Sequence, residues 1–532
     1  MRITINDTLK AHAAHRPDKI VATEIDTNRT FTYKEFNERA NRLANGMMGL
    51  GLSKGDHIAH WLYNCIEMCD VAFAAAKCGL VFATVNPAYV AREAEYLLGH
   101  WDAKAVILDP EMLDKIEEIR EKLPKLQYYI VTGPKELTPT GMINYDELLA
   151  GASENDPNIP MQETDEYICF YTSGTTGYPK APVRDMGSVI ALGYTVVIDQ
   201  GFLRPLDAVA LLCGPGFHAG PWVFGILVPI FLGRSIVIQK KFSPEEALSN
   251  IDKYKCTDLW LVPVMLNFLI NLPKEITEKY DTSSLKVLST SGAPLHLATR
   301  KKTAEAFPNL EHWDFYGISE YGAPLCVYPE MAEKAPTVGL PCAGGDARII
   351  DPSTPDPVYG REMPRRKVGE IWVKNPGGFL YYYKNADETR RVRKVYSNGE
   401  VWFTAEDMGY QDEDGLFYMS DRKKDMIIRG GENVMPQELE GALFEHPDVL
   451  ECAAIGVPSE IWGEEPRMVV VLLEGKSATE EELKIFIKDK VAKFKMPAGI
   501  DIVDELPKTG SGKVLRRVLR EPFWKDKDKR VQ

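Results

Sequence analysis

Short, almost continuously apolar runs recur along this chain, and segments with helical spacing separate them. Residues 57–62, 105–108, 129–131, 208–212, 235–238, 259–262 and 286–289 are such runs. A strand without a polar face must be covered on both sides, which a parallel sheet with crossover helices achieves. Among the intervening segments, Phe36, Ala40, Leu43, Ala44 and Met47 recur at helical spacing before Gly49 and Gly51 end the pattern. The alternation predicts an α/β fold. A chain of 532 residues also exceeds what one core supports, so more than one domain is expected.

The texture changes after about residue 340. Segments 346–350, 369–374 and 416–419 lie between Gly and Pro turns without long helices, which predicts a β-rich subdomain closing a large N-terminal domain of stacked α/β subdomains. A dense charged stretch, 421–425, precedes a helical pattern over 436–444, strands over 452–457 and 467–473, and a helix over 480–491. That order predicts a small α+β C-terminal domain. The boundary falls at Asp421–Lys424, dividing 1–421 from 422–532.

Composition narrows the function. Hydrophobic residues make up 45% and charged residues 26%, so a large ordered core is available. A net charge of -14 argues against a nucleic-acid partner. It does not argue against small anions, because a few local cations and backbone N–H groups bind phosphate in acidic proteins. Nine cysteines show no ligand spacing; Cys65 and Cys69 have no companion cluster, so all nine read as reduced, mostly buried thiols. The polar start, 1–10, is unlike a signal peptide, and the longest apolar stretch, 223–232, is too short to span a membrane and contains Pro229. These features predict a cytoplasmic protein with no membrane span. The oligomeric state stays open, a homodimer included.

The chemistry concentrates in Tyr171-Thr-Ser-Gly-Thr-Thr-Gly-Tyr-Pro-Lys180, which follows the apolar run 167–171. Gly174 and Gly177 let the backbone bend tightly, while Thr172, Ser173, Thr175 and Thr176 turn donors toward one anion, and Lys180 adds a mobile positive charge. The segment is not a Walker A loop, since the Gly-Lys-Ser/Thr ending is missing.

This run resembles the phosphate-binding signature of the adenylate-forming superfamily: acyl-CoA synthetases, luciferases and peptide-synthetase adenylation domains. Further segments stand in that family's order across nearly the whole chain. Pro215-Gly-Phe-His218 resembles the entrance to the acyl pocket. Ser291-Gly-Ala-Pro-Leu295 and Asp314-Phe-Tyr-Gly-Ile-Ser-Glu320 resemble the adenine and metal segments. Residues 402–409 resemble the ribose segment, 421–431 the hinge, and Leu506-Pro-Lys-Thr-Gly-Ser-Gly-Lys513 the C-terminal lysine loop.

The resemblance implies an AMP-forming carboxylic acid–CoA ligase. A small-molecule acid and ATP give acyl-AMP and pyrophosphate; coenzyme A then gives acyl-CoA and AMP. Besides the phosphate segment, Ser291, Gly292, Ala293, Pro294, Asp314, Phe315, Tyr316, Gly317 and Ser319 would bind the nucleotide. Tyr316 offers a face to the purine, Asp314 an acceptor to its amino group, and Asp407 with Arg422 would bind the ribose. Glu320 would be the Mg²⁺ ligand. Lys513 would reach both the carboxylate and the α-phosphate as the catalytic lysine. His218 would gate the passage between acid and thiol, with Phe217, Ala219, Gly220, Trp222, Gly292, Phe315 and Gly317 around the acyl group. Small residues among aromatic ones there suit a compact aromatic, alicyclic or medium-chain acid. The C-terminal domain would be mobile, pivoting at Lys424 to exchange Lys513 for Arg429, Gly430, Gly431 and Glu432 at a pantetheine passage.

The chain departs from the pattern at several points. Ala181-Pro182 and Met186 replace the usual Gly-Val and His, Ser319 stands for Thr, and the Thr-Gly-Asp of the ribose segment reads Ala405-Glu406-Asp407. Adenylation with another acceptor, a luciferase-like oxygenase and a catalytically silent nucleotide-binding regulator share these motifs. Retention of Lys513, Glu320 and Asp407 argues against the last. The stretch 217–223 lacks the Asp that pairs with the amine of an amino-acid substrate.

Overall fold

The computed structural model describes residues 4–172, 179–200, 207–293, 295–334, 336–422, 425, 427–429, 432–459, 461–488, 490–509 and 512–525, the side chains of 421, 422, 432 and 433 excepted. Within these residues the apolar runs form three sheets. In the first, His57–Trp61, Val81–Thr84, Ala105–Leu108, Tyr128–Val131, Ile143–Asn144 and Glu166–Phe170 run parallel, as fully buried strands require. Pro182–Asp185 and Tyr381–Tyr382 add an antiparallel edge.

The second sheet has a parallel centre built from Ile20–Glu24, Ser235–Ile238, Val209–Leu212, Asp258–Leu261, Val287–Ser291 and Glu311–Ile318. Gly322–Val327 turns back antiparallel, and Thr337–Pro341 then pairs on both sides, with Gly322–Val327 and with Phe417–Arg422. The β-rich region of Asp346–Ile350, Gly369–Lys374 and Val401–Gln411 is therefore continuous with the parallel sheet through one shared strand.

Helix Ile66–Cys78 joins the two sheets. All its residues are buried, which its alanine-rich sequence permits on every face. Tyr167 of the first sheet donates to the Ala72 carbonyl at 3.0 Å. From the second sheet, Glu24 accepts from the Ile66 N–H at 3.1 Å. Its two acidic residues are neutralised from outside: Arg29 reaches Glu67 at 2.7 Å, and Arg39 reaches Asp70 at 2.6 Å.

The chain leaves the second sheet after Arg422 and enters a third, five-stranded one at Ile427–Arg429. The strands of its long hairpin, Val449–Ser459 with Gly463–Leu472, begin earlier than the apolar runs at 452–457 and 467–473, because backbone pairing rather than side-chain polarity sets where a ladder ends. Helix Glu480–Ile487 stops short of the 491 that periodicity suggests. Among the described residues, no helix is long and apolar enough to cross a membrane.

The turn between Glu311–Ile318 and Gly322–Val327 depends on one close approach. A Cβ on Gly317 would lie 1.8 Å from the Gly322 carbonyl oxygen, and neither backbone can yield inside a paired sheet. Gly317→Ala is therefore expected to cost about 3 kcal/mol or more, the upper range of overpacking. Urea unfolding at parent-like stability would show that the hairpin can open.

Candidate active site

The parallel strands of both sheets end at one cleft of about 1330 Å³. Thr172 follows Glu166–Phe170, His218 to Pro221 with Val223 and Phe224 follow Val209–Leu212, and Val262 follows Asp258–Leu261. Ser291 and Gly292 end the next strand, and residues 317–320 end Glu311–Ile318. Ligands of α/β sheets bind at such carboxyl ends, where unpaired backbone groups and the following loops converge. Of the residues singled out from sequence, Thr172, Lys180, His218, Ala219, Gly220, Ser291, Gly292, Phe315, Gly317, Ser319, Glu320 and Lys513 line the cleft. Ser173, Gly174, Thr175, Thr176, Gly177, Pro294, Lys424, Gly430 and Gly431 lie outside the described residues.

At one end, Glu320 is 8% exposed, and its Oε1 accepts from the Tyr382 hydroxyl at 2.6 Å and from Thr172 Oγ1 at 3.3 Å. Among the described residues there is no group of three His, Cys, Asp or Glu able to hold a metal. The donor set nonetheless fits Mg²⁺, which takes one or two carboxylates and completes its shell with phosphate oxygens and water. Ser319 is fixed from behind: Arg184, buried so completely that its pKa falls to about 10, donates to the Ser319 carbonyl at 2.8 Å.

Tyr316 and Asp407, far apart in sequence, meet behind the cleft wall. The phenol donates to Asp407 Oδ2 at 2.6 Å, and burial together with that carboxylate raises its pKa. Asp407 also faces the backbone of Arg422 across the paired strands Val401–Gln411 and Phe417–Arg422. Ala293 is exposed. Asp314 departs from its expected place at the adenine amino group. Its Oδ1 accepts from Thr290 at 2.7 Å and its Oδ2 from Arg300 at 2.9 Å, so the carboxylate serves a buried ion pair; burial raises its pKa against the pull of Arg300.

The acyl wall is also redistributed. Trp222 is 1% exposed and packs against Phe170, Tyr167 and Phe82 in the core instead of lining the cleft. Phe217 is likewise off the wall, its carbonyl accepting from Thr84 at 2.7 Å. The short helix Ala219–Trp222 passes into a π-helical turn, Val223–Leu227, and this added residue per turn places Val223 and Phe224 on the cleft. Phe224 sits 5.1 Å from the Phe315 ring. Trp260 completes the wall and donates from Nε1 to Ser291 Oγ at 3.2 Å. Gly220 is small because of it: a Cβ there would come within 2.5 Å of the Trp260 ring. Sequence reasoning missed Phe224 and Trp260; the place of Trp260 within an apolar run, 259–262, made it read as core.

The lysine loop reaches this cleft from the third sheet. Thr509 N–H donates to the Lys513 carbonyl at 2.8 Å and Gly512 N–H to the Thr509 carbonyl at 2.9 Å, a tight turn in which Gly512 takes φ +78°. Gly512 then seats against Val262 and Val264. Nearby, Phe444 stacks on His296 at 4.2 Å, and burial lowers the imidazole pKa to about 4, keeping the contact neutral. Arg429 lies apart from the cleft, donating to the Phe494 carbonyl at 2.8 Å beneath Trp462. Glu432 is placed only by its strand, Glu432–Val434.

Residues 9–383 match the AMP-binding enzyme family, and 438–513 match the AMP-binding enzyme C-terminal domain. The chain is 30% identical to a feruloyl-CoA synthase of Amycolatopsis sp, over 92% of this chain and 94% of that protein. It is 30% identical to the acetyl-coenzyme A synthetase of Bacillus subtilis, over 97% and 89% respectively. The crystal structure of ATP-bound MatB from Rhodopseudomonas palustris superposes with a TM-score of 0.85 at 28% identity, covering 98% of this chain and 99% of that one. Enzymes of this kind use ATP, Mg²⁺ and coenzyme A. The converging strand ends, the two matched domains and these relatives together make the chain a member of the AMP-binding enzyme family, an AMP-forming acyl-CoA ligase.

Proposed function

We propose that this ligase activates a compact, uncharged-chain acid, either aromatic, alicyclic or medium-chain, and does so in the cytoplasm. The acyl wall carries the reading. Val223, Phe224, Trp260, Phe315 and Ala323 converge on the cleft, and none of them carries a charge to pair with an amine or a second carboxylate on the substrate. The relatives do not choose an acid, since ferulate and acetate enzymes match equally well. The location is supported by nine unpaired cysteines, eight of them buried, as a reducing compartment allows.

In the first step a carboxylate oxygen attacks the α-phosphorus of ATP, the bond to the β-phosphate oxygen breaks, and pyrophosphate leaves. Lys513 brings one ammonium to two anions, offsetting their repulsion and the charge that develops between them. Glu320 would hold Mg²⁺, which would further neutralise the phosphates. In the second step the thiol of coenzyme A adds to the acyl carbonyl and AMP departs. The passage from Arg422 in one sheet to Ile427 in another is a short tether, suited to a pivot at Lys424 that would trade the Lys513 loop for the Arg429 hairpin.

Lys513→Ala should slow acyl-AMP formation at least about a hundredfold, the scale of losing one preorganised donor. Thioester formation from supplied acyl-AMP should change far less, and single-turnover rates that fall equally in both steps would remove the role. Opening the acyl wall with Phe224→Ala should move kcat/KM toward bulkier acids by about tenfold, as expected for a few methylenes of pocket, with the KM for ATP held. An unchanged profile across an acid panel would place the pocket elsewhere.

A further inference from the structure

Where the family's ribose segment carries glycine, this chain has Glu406, and its backbone keeps the conformation that favours glycine, at φ +60°. An acidic side chain in a costly conformation thus stands on the cleft wall, next in sequence to Asp407. Its carboxylate pairs with Arg391. The same guanidinium donates through Nε and NH2 to both oxygens of Glu388, at 2.8 and 2.7 Å. Glu388 in turn holds the Lys180 ammonium, and the hydrogen bonds from Arg391, then those from Lys180, push its pKa down to about 2 against the opposing effect of burial. Lys180 ends the phosphate segment and lies 5.5 Å from the Tyr382 ring, whose hydroxyl serves Glu320. Two positive and two negative side chains thus form one neutral chain along the cleft.

We propose that Arg391 is a positioning residue for ATP. By neutralising Glu388 and Glu406 together it lets the triphosphate meet Lys180 instead of two bare carboxylates, and Glu406 is what makes it necessary. With Arg391 gone, both carboxylates would compete with phosphate for Lys180 and repel it directly. The inference rests on the cleft taking ATP, as read above.

The test uses the full-length enzyme, with ATP–pyrophosphate exchange on an accepted acid and calorimetric binding of ATP and of AMP. Arg391→Ala should raise the KM and Kd for ATP at least about tenfold, while the KM for the acid and the Kd for AMP move less than about twofold. Arg391→Lys should recover most of the loss, and adding Glu406→Gln to Arg391→Ala should return the KM for ATP to within about threefold of the parent. An unchanged KM for ATP, an equal loss for AMP, or no recovery in the double variant would overturn the inference. If Arg391→Ala fails to fold, Glu406→Gln alone decides: it should lower the KM for ATP by freeing positive charge, and an unchanged or higher value would overturn the idea. If the parent shows no exchange with any acid, the adenylation reading fails, and ATP binding to the variants still decides the role of Arg391.

Discussion

Helix Ile66–Cys78 is a structural element held from both sides, by Tyr167 of one sheet and Glu24 of the other. Because no face of it reaches water, the two sheets cannot slide or separate without exposing apolar surface, at roughly 25 cal/mol per Å². The carboxyl ends of the two sets of parallel strands are thereby held around one cleft. Thr172 and Lys180 reach the cleft from the first sheet, and Trp260, Ser291, Phe315 and Glu320 from the second. Neither sheet alone carries a complete site. The two buried acids of the helix, each met by an arginine from outside it, fit the same purpose: such pairs add little net stability but oppose wrong packings.

The third sheet is attached in a different manner. Its contacts with the rest of the chain at the cleft are narrow: Gly512 on two valines, Phe444 on His296, and Lys508 near the Phe268 ring. Small contacts of this kind are typical of the interfaces between domains of one chain. His296, held neutral by burial, keeps the stacking free of a charge that would have to be desolvated.

Much of the fold was legible because parallel strands announce themselves as short apolar runs, and the runs near 105, 235 and 287 all became central strands. Lys180 and Glu320 belong to segments whose residue types suit phosphate and Mg²⁺, and both stand on the cleft. Orientation was not legible. Trp222 and Phe224 are both large and aromatic, and residue type alone does not tell which one faces the cavity. Asp314 looked available for a ligand because Arg300, its partner, sits on a helix whose register a strand-by-strand reading does not give. Arg391 carries no motif at all. Its place follows from three residues, at 180, 388 and 406, that only the folded chain assembles.

The charge of the whole chain and the charge of its site therefore follow separate rules. A net charge of -14 is a property of the surface, screened by salt beyond about 10 Å. Inside the cleft what counts is whether each carboxylate already has a partner when phosphate arrives. The Glu320 carboxylate accepts hydrogen bonds from two hydroxyls, of Thr172 and Tyr382, with the Arg184 charge nearby. Glu388 and Glu406 have cations, so their negative charge is spent locally. A cleft lined by five glutamates can then still accept a polyanion, because the two nearest Lys180 and Arg391 are already paired.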